Sequence, residues 1–161
     1  MKIPLRLNGV QIVLNVEADE KLFGVLREKN CFDIKCGCGA GVCGSCMVLM
    51  DDIPVPACII PAAAARNSHV ITLNYFMTLP DYEDIKKGFE HAGIELCGYC
   101  DAGKILGAYH LITRYKNLTR KQIHFVMSSL TCRCADDSLI ANGIVFASAL
   151  REKRIKKERH V

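Results

Sequence analysis

The hydrophobic positions of this chain change period once, and the change divides it in two. Ile3, Leu5 and Leu7 alternate with polar residues, and so do Val10, Ile12, Leu14 and Val16. A period of two marks strands with one buried face. Asn8-Gly9 stands between the two runs, and both residues tolerate the positive φ of a type I′ turn, so a hairpin is predicted. Leu22, Val25, Leu26 and Lys29 then follow helical spacing, with Asp19 as the predicted cap. Residues 30–45 form a Cys/Gly-rich stretch without apolar periodicity. Met47 to Met50, a turn at Asp51-Asp52 and Ile53 to Val55 read as a β-ribbon, and Val70 to Leu73 as a last strand.

Beyond residue 80 the period is helical. Ile85, Phe89 and Ala92 line a first helix that Gly93 ends, and Ile105, Leu106, Tyr109 and Ile112 line a second. Thr119 with Gln122 three residues later is a capping-box pattern that opens a third, carrying Ile123, Val126, Met127 and Leu130. Ile140, Ile144, Ala147 and Leu150 line a fourth. The expected fold class is α+β: a small β-rich domain over residues 1–76, then a four-helix domain over residues 77–161. The boundary falls near Asn74 to Pro80, and no internal repeat is visible.

Composition narrows the class of protein. Half of the 161 residues are hydrophobic and 24% are charged, which excludes a disordered chain. The longest apolar stretch, Ile53 to Ala65, is broken by Pro54, Pro56 and Pro61, and it falls short of the ~20 residues a membrane-spanning helix needs. Met1-Lys2-Ile3-Pro4 runs straight into polar alternation with no signal-peptide core. A cytoplasmic protein is expected, and in that compartment ten cysteines point to metal rather than to disulfides. The net charge of +4 comes entirely from the end of the chain, because residues 1–150 carry equal numbers of basic and acidic side chains. Arg151, Lys153, Arg154, Lys156, Lys157 and Arg159 read as a solvated helix end, where cations suit the helix dipole. The body has no basic stripe or aromatic platform, so nucleic-acid binding is set aside.

The cysteines fall into two constellations. In the first, Cys38-x4-Cys43-x2-Cys46 with Cys58 beyond is the plant-type ferredoxin arrangement for a [2Fe–2S] cluster. Gly37, Gly39, Gly41 and Gly44 permit positive φ and close backbone approach, so that their N–H groups point at the cluster sulfurs. Spacing alone could exchange Cys36 for Cys38, but only Cys38 gives the x4 interval, so Cys36 and Cys31 are read as non-ligands. In the second, Cys97-x2-Cys100 precedes the second predicted helix and Cys132-x-Cys134 lies between the third and fourth. A C-x-C pair is too closely spaced for an ordinary disulfide, so both thiolates are expected at one metal centre. A second [2Fe–2S] cluster is the leading reading; zinc or buried free thiols are the alternatives for both sites.

Cys38-Gly-Ala-Gly-Val-Cys43-Gly-Ser-Cys46, Cys97-Gly-Tyr-Cys100 and Cys132-Arg-Cys134 together resemble the iron–sulfur small subunit of the molybdenum hydroxylases, the xanthine dehydrogenase and aldehyde oxidoreductase family. The likeness extends over nearly the whole chain, including Leu7-Asn8-Gly9 and Leu26-Arg27-Glu28. It implies an N-terminal β-grasp ferredoxin domain and a C-terminal four-helix domain with one cluster each. Cys97, Cys100, Cys132 and Cys134 would hold the cluster nearest molybdenum, with Gly98 and Arg133 beside it. Cys38, Cys43, Cys46 and Cys58 would hold the one nearer the flavin. The partners implied are a large subunit that binds molybdopterin and a medium subunit that binds FAD. Electrons would pass from molybdenum to FAD as a heterocycle or aldehyde is hydroxylated.

Three departures from that family's pattern cluster near the second site. Leu96 stands where the family has a pterin-contacting Gln, and Leu has neither donor nor acceptor. Asp101-Ala102-Gly103 replaces Thr-Pro-Gly, placing a negative charge that should lower the potential of a nearby cluster. Ala135-Asp136-Asp137 replaces Thr-Gly-Tyr. His69, His91, His110, His124 and His160 show no metal spacing, and no catalytic triad, phosphate loop or dinucleotide fingerprint is present. Tyr99 could shield its cluster from water. Besides a hydroxylase subunit, two other functions suit the residues: a two-cluster ferredoxin, either free-standing or in a related complex that has lost the usual pterin contacts, and a zinc-stabilised interaction module.

Overall fold

The structure, a computed structural model, describes residues 1–131 and 134–159. Strands β1 (Lys2–Leu7) and β2 (Val10–Asn15) pair antiparallel from Leu7↔Val10 to Lys2↔Asn15. Asn8 and Gly9 both have positive φ, 49° and 83°, as the predicted turn requires. Strands β3 (Met47–Met50), β4 (Ile53–Pro56) and β5 (His69–Ile71) complete a five-stranded sheet of order β2-β1-β5-β3-β4, in which β1 and β5 are parallel. Helix α1 (Leu22–Glu28) lies in the connection between β2 and β3 and buries Leu22, Val25 and Leu26 in one core with Ile3, Leu5, Leu14 and Val48.

Two local expectations change for tertiary reasons. Asp19 does not cap α1; Lys21 is the N-cap and makes no side-chain cap bond. The Leu22 and Phe23 N–H groups instead donate to the Ile60 and Ala57 carbonyls, at 2.9 and 3.0 Å, so the chain after β4 supplies the missing acceptors. The last strand stops at Ile71, because the Asn8 side chain accepts the Thr72 N–H at 2.9 Å and the chain turns into the short helix α2 (Leu73–Phe76).

The second half is helical, with α3 (Pro80–His91), α4 (Asp101–Arg114), α5 (Arg120–Met127) and α6 (Asp137–Glu158). Gly93 follows α3 with φ 69°, and the Ile94 N–H donates back to the Phe89 carbonyl at 2.9 Å, a common helix stop. Both bonds of the Thr119–Gln122 capping box are present. Leu130 lies beyond α5. Among the described residues no helix is long and apolar enough to cross a membrane. Phe76, Ile85, Leu106, Leu111, Ile123 and Ile144 form a second core, which Leu49 of β3 and Ile71 of β5 join from the sheet. That shared seam fixes α4 against β3 and β4.

The basic end of the chain is only partly a solvated helix end. Arg151 Nε and Arg154 Nη2 donate to Asp81 Oδ1 of α3 at 2.7 and 2.6 Å, and Arg154 Nε donates to Asp84 Oδ2 at 2.9 Å. Asp84 is 7% exposed, so its charge needs this partner. Arg154→Ala should therefore lower unfolding stability by about 1–3 kcal/mol, the cost of stranding a buried acceptor. A urea titration checks this: an unchanged midpoint would show that the pair contributes nothing.

Candidate metal centres

The Cys/Gly-rich loop is anchored before any ligand is considered. Arg27, in the last turn of α1, donates to the Phe32 and Ile34 carbonyls at 3.3 Å each, and the Lys35 N–H donates to the Ser45 carbonyl at 3.3 Å. Within the loop, Cys38 Sγ accepts the Ala40 N–H at 3.3 Å. That bond, with further N–H donors from Cys43 and Val42 and the Cys43 thiol, lowers the Cys38 pKa to about 6. Cys38 is thus held toward thiolate, the form that binds metal. Cys43 is buried and its thiol lies 3.3 Å from Ser45 Oγ. Cys46, 1% exposed, neighbours both Cys43 and Cys58, and burial pushes its pKa up to about 12. The ribbon explains this meeting: the pair Met47↔Pro56 and the bond from the Ala57 N–H to the Cys46 carbonyl bring the two arms together.

The neighbours are pairwise: Cys38 lies beside Cys43, and Cys46 beside Cys43 and Cys58. Among the described residues no three His, Cys, Asp or Glu side chains stand close enough to share one ion. Cys31 is different: it packs in the core of the first half, and burial raises its pKa. Cys36 is exposed. No disulfide engages any of the six cysteines of this half. The loop glycines need one amendment. Gly39, Gly41 and Gly44 have positive φ, but Gly37 does not; a Cβ on Gly37 would meet the Tyr99 hydroxyl at 2.2 Å. The donors on the Cys38 sulfur are the N–H groups of Ala40, Cys43 and Val42.

In the second constellation Cys97 is exposed, while Cys100 is fully buried as the N-cap of α4. Gly98 between them has φ 84°, and its N–H donates to Asp101 Oδ1 at 3.0 Å. The carboxylate that replaces the family's Thr thus closes the C-G-Y-C turn. Cys134 Sγ lies 3.6 Å from Lys104 Nζ. Asp136 caps α6 by accepting the Ser138 N–H at 2.8 Å, and bonds from the Ser138 side chain and backbone hold its pKa below the usual carboxylate value. Leu96 is half-buried against the helical core. Cys132 and Arg133 lie outside the described residues.

The two constellations abut. A Cβ on Gly103 of α4 would stand 2.8 Å from the Gly44 Cα, so loop and helix touch backbone to backbone. The Tyr99 hydroxyl fills the space above Gly37, Lys35 Nζ donates to the Gly98 carbonyl, and the Thr131 N–H donates to the Val42 carbonyl at 3.0 Å. Sequence reasoning missed Lys35, Lys104 and the role of Gly103. One signal was available for Lys104: it stands four residues after Cys100, on the same helix face, in an otherwise apolar run.

Two family models match the chain. Residues 5–68 match the 2Fe-2S iron-sulfur cluster binding domain and residues 73–144 the [2Fe-2S] binding domain. The chain is 35% identical over 133 residues to the nicotinate dehydrogenase small FeS subunit of Eubacterium barkeri, covering 82% of this chain and 85% of that one. It belongs to the iron–sulfur subunits of the molybdenum hydroxylases. The subunit is also 28% identical to the xanthine dehydrogenase iron-sulfur-binding subunit of Escherichia coli O157:H7, over 89% of this chain and 91% of that one. It superposes on a chain of quinoline 2-oxidoreductase from Pseudomonas putida 86 with a TM-score of 0.80 and 29% identity, covering 94% and 96% of the two chains. The subunit therefore carries two [2Fe–2S] clusters and serves electron transfer in an oxidoreductase, and the zinc alternative falls.

Proposed function

We propose that this subunit carries electrons from a molybdopterin centre in a large subunit to FAD in a medium subunit while a heterocycle or aldehyde is hydroxylated. The observation behind this reading is the backbone contact of Gly44 with Gly103, which sets one cysteine segment directly against the other. Cys38, Cys43, Cys46 and Cys58 are proposed as ligands of the first cluster, in the ferredoxin unit of residues 1–76. Cys97, Cys100, Cys132 and Cys134 are proposed for the second, in a four-helix unit of residues 77–161, with Gly98 and Arg133 beside it. Each [2Fe–2S] cluster, when bound, takes up and releases one electron.

The residues present suit that cofactor. Cys38 already has backbone donors on its sulfur, the condition that stabilises a ligating thiolate. Cys46 and Cys100 are buried, which keeps water from the iron side of each site. Gly39, Gly41 and Gly44 let the loop curl without side chains in its path. A cytoplasmic location fits cysteines reserved for metal rather than for disulfides.

Purification from the native source under mild conditions tests the reading. Co-elution with molybdenum and flavin, and visible absorbance typical of [2Fe–2S] centres, is the expected result. A monomer with both clusters but neither molybdenum nor flavin would overturn the complex and favour a free-standing ferredoxin.

A further inference from the structure

We propose that Lys104 is a positioning residue of the second cluster site that raises the reduction potential of the cluster held by Cys100 and Cys134. This rests on the two-cluster reading above and adds a specific device to it. Lys104 is 2% exposed, and it is the one charged residue among the nine buried positions of α4. The other buried charged side chain among the described residues, Asp84, has an arginine partner. Lys104 instead lies with its Nζ 3.6 Å from Cys134 Sγ. A buried ammonium is costly unless an anion faces it, and a neutral thiol does not meet that need. A thiolate that belongs to an iron–sulfur cluster does.

The sign of the effect follows from charge. A [2Fe–2S] cluster with four thiolates is anionic when oxidised and gains one more negative charge when it accepts one electron. The ammonium, and the N–H it donates to sulfur, stabilise the reduced form more than the oxidised form, so the potential rises. Asp101 acts in the opposite direction from the same helix turn, with its charge partly engaged by the Gly98 N–H. Lys104 thereby compensates for an acidic substitution that would otherwise lower the potential. Its place one turn after Cys100 keeps it on the helix face that carries a proposed ligand.

The test is an EPR-monitored redox titration of the full chain with both clusters assembled. Lys104→Met, which keeps the stem and removes charge and donor, should shift the reduced-to-oxidised ratio of one cluster at fixed potential about tenfold toward oxidised. That corresponds to about 59 mV downward for a one-electron couple. The other cluster should not move. Lys104→Arg should restore most of the shift, and Lys104→Gln carries the test if Met prevents assembly. The proposal is overturned if the potential of neither cluster changes in Met and Gln, or if both change equally. Failure of the underlying reading looks different: the unmutated chain would then lack a second [2Fe–2S] signal, which overturns both.

Discussion

Cys100→Ala is expected to halve the iron bound per chain and to abolish one of the two [2Fe–2S] EPR signals while the other keeps full intensity. Cys100 is fully buried as the N-cap of α4, in the second of the two constellations. Alanine removes a proposed ligand and a small volume. Its cost to the fold should be of the order of 1 kcal/mol, by analogy with a lost methylene-sized group. Serine is the poorer choice, because its oxygen can still ligate iron. Iron analysis and low-temperature EPR of the purified variant decide the matter. If both signals vanish from a chain that is still folded, the two sites are not independent and the division of the eight cysteines is wrong.

The second large effect is expected from Gly103→Ala. The added Cβ would lie 2.8 Å from the Gly44 Cα and 3.1 Å from a Leu130 methyl, and a backbone atom cannot turn aside as a side chain can. Gly44 itself has φ 80°, so the loop has little freedom to retreat. Overpacking of this kind costs about 1–3 kcal/mol and should push the loop and α4 apart. Unfolding stability should fall by that amount, and electron equilibration between the two clusters should slow. Gly24→Ala is the control: it sits in α1, nothing would lie within 4 Å of its Cβ, and helix propensity favours alanine there. A Gly103→Ala variant as stable as Gly24→Ala, with unchanged equilibration between clusters, would show that the contact of Gly44 with Gly103 does not set the approach of the two sites.

The sequence by itself determined whatever depends on neighbours along the chain. The period-two runs around Asn8-Gly9, the Thr119–Gln122 capping box and the stop at Gly93 are local interactions, and all stand in the structure. The spacing Cys38-x4-Cys43-x2-Cys46 and the pairs Cys97-x2-Cys100 and Cys132-x-Cys134 pointed to iron–sulfur chemistry for the same reason, since a cluster loop is a short-range constraint. Only the tertiary structure decided the rest. Asp19 loses the cap because carbonyls of Ala57 and Ile60 arrive from another segment. Gly37 is needed for the Tyr99 hydroxyl above it, not for its φ. Arg154 finds Asp84, and Lys104 is buried beside Cys134, through helix packing that no periodicity encodes. Residue spacing reports which groups lie close along the backbone; burial, and with it the electrostatic effect of a charge, depends on which distant surfaces meet.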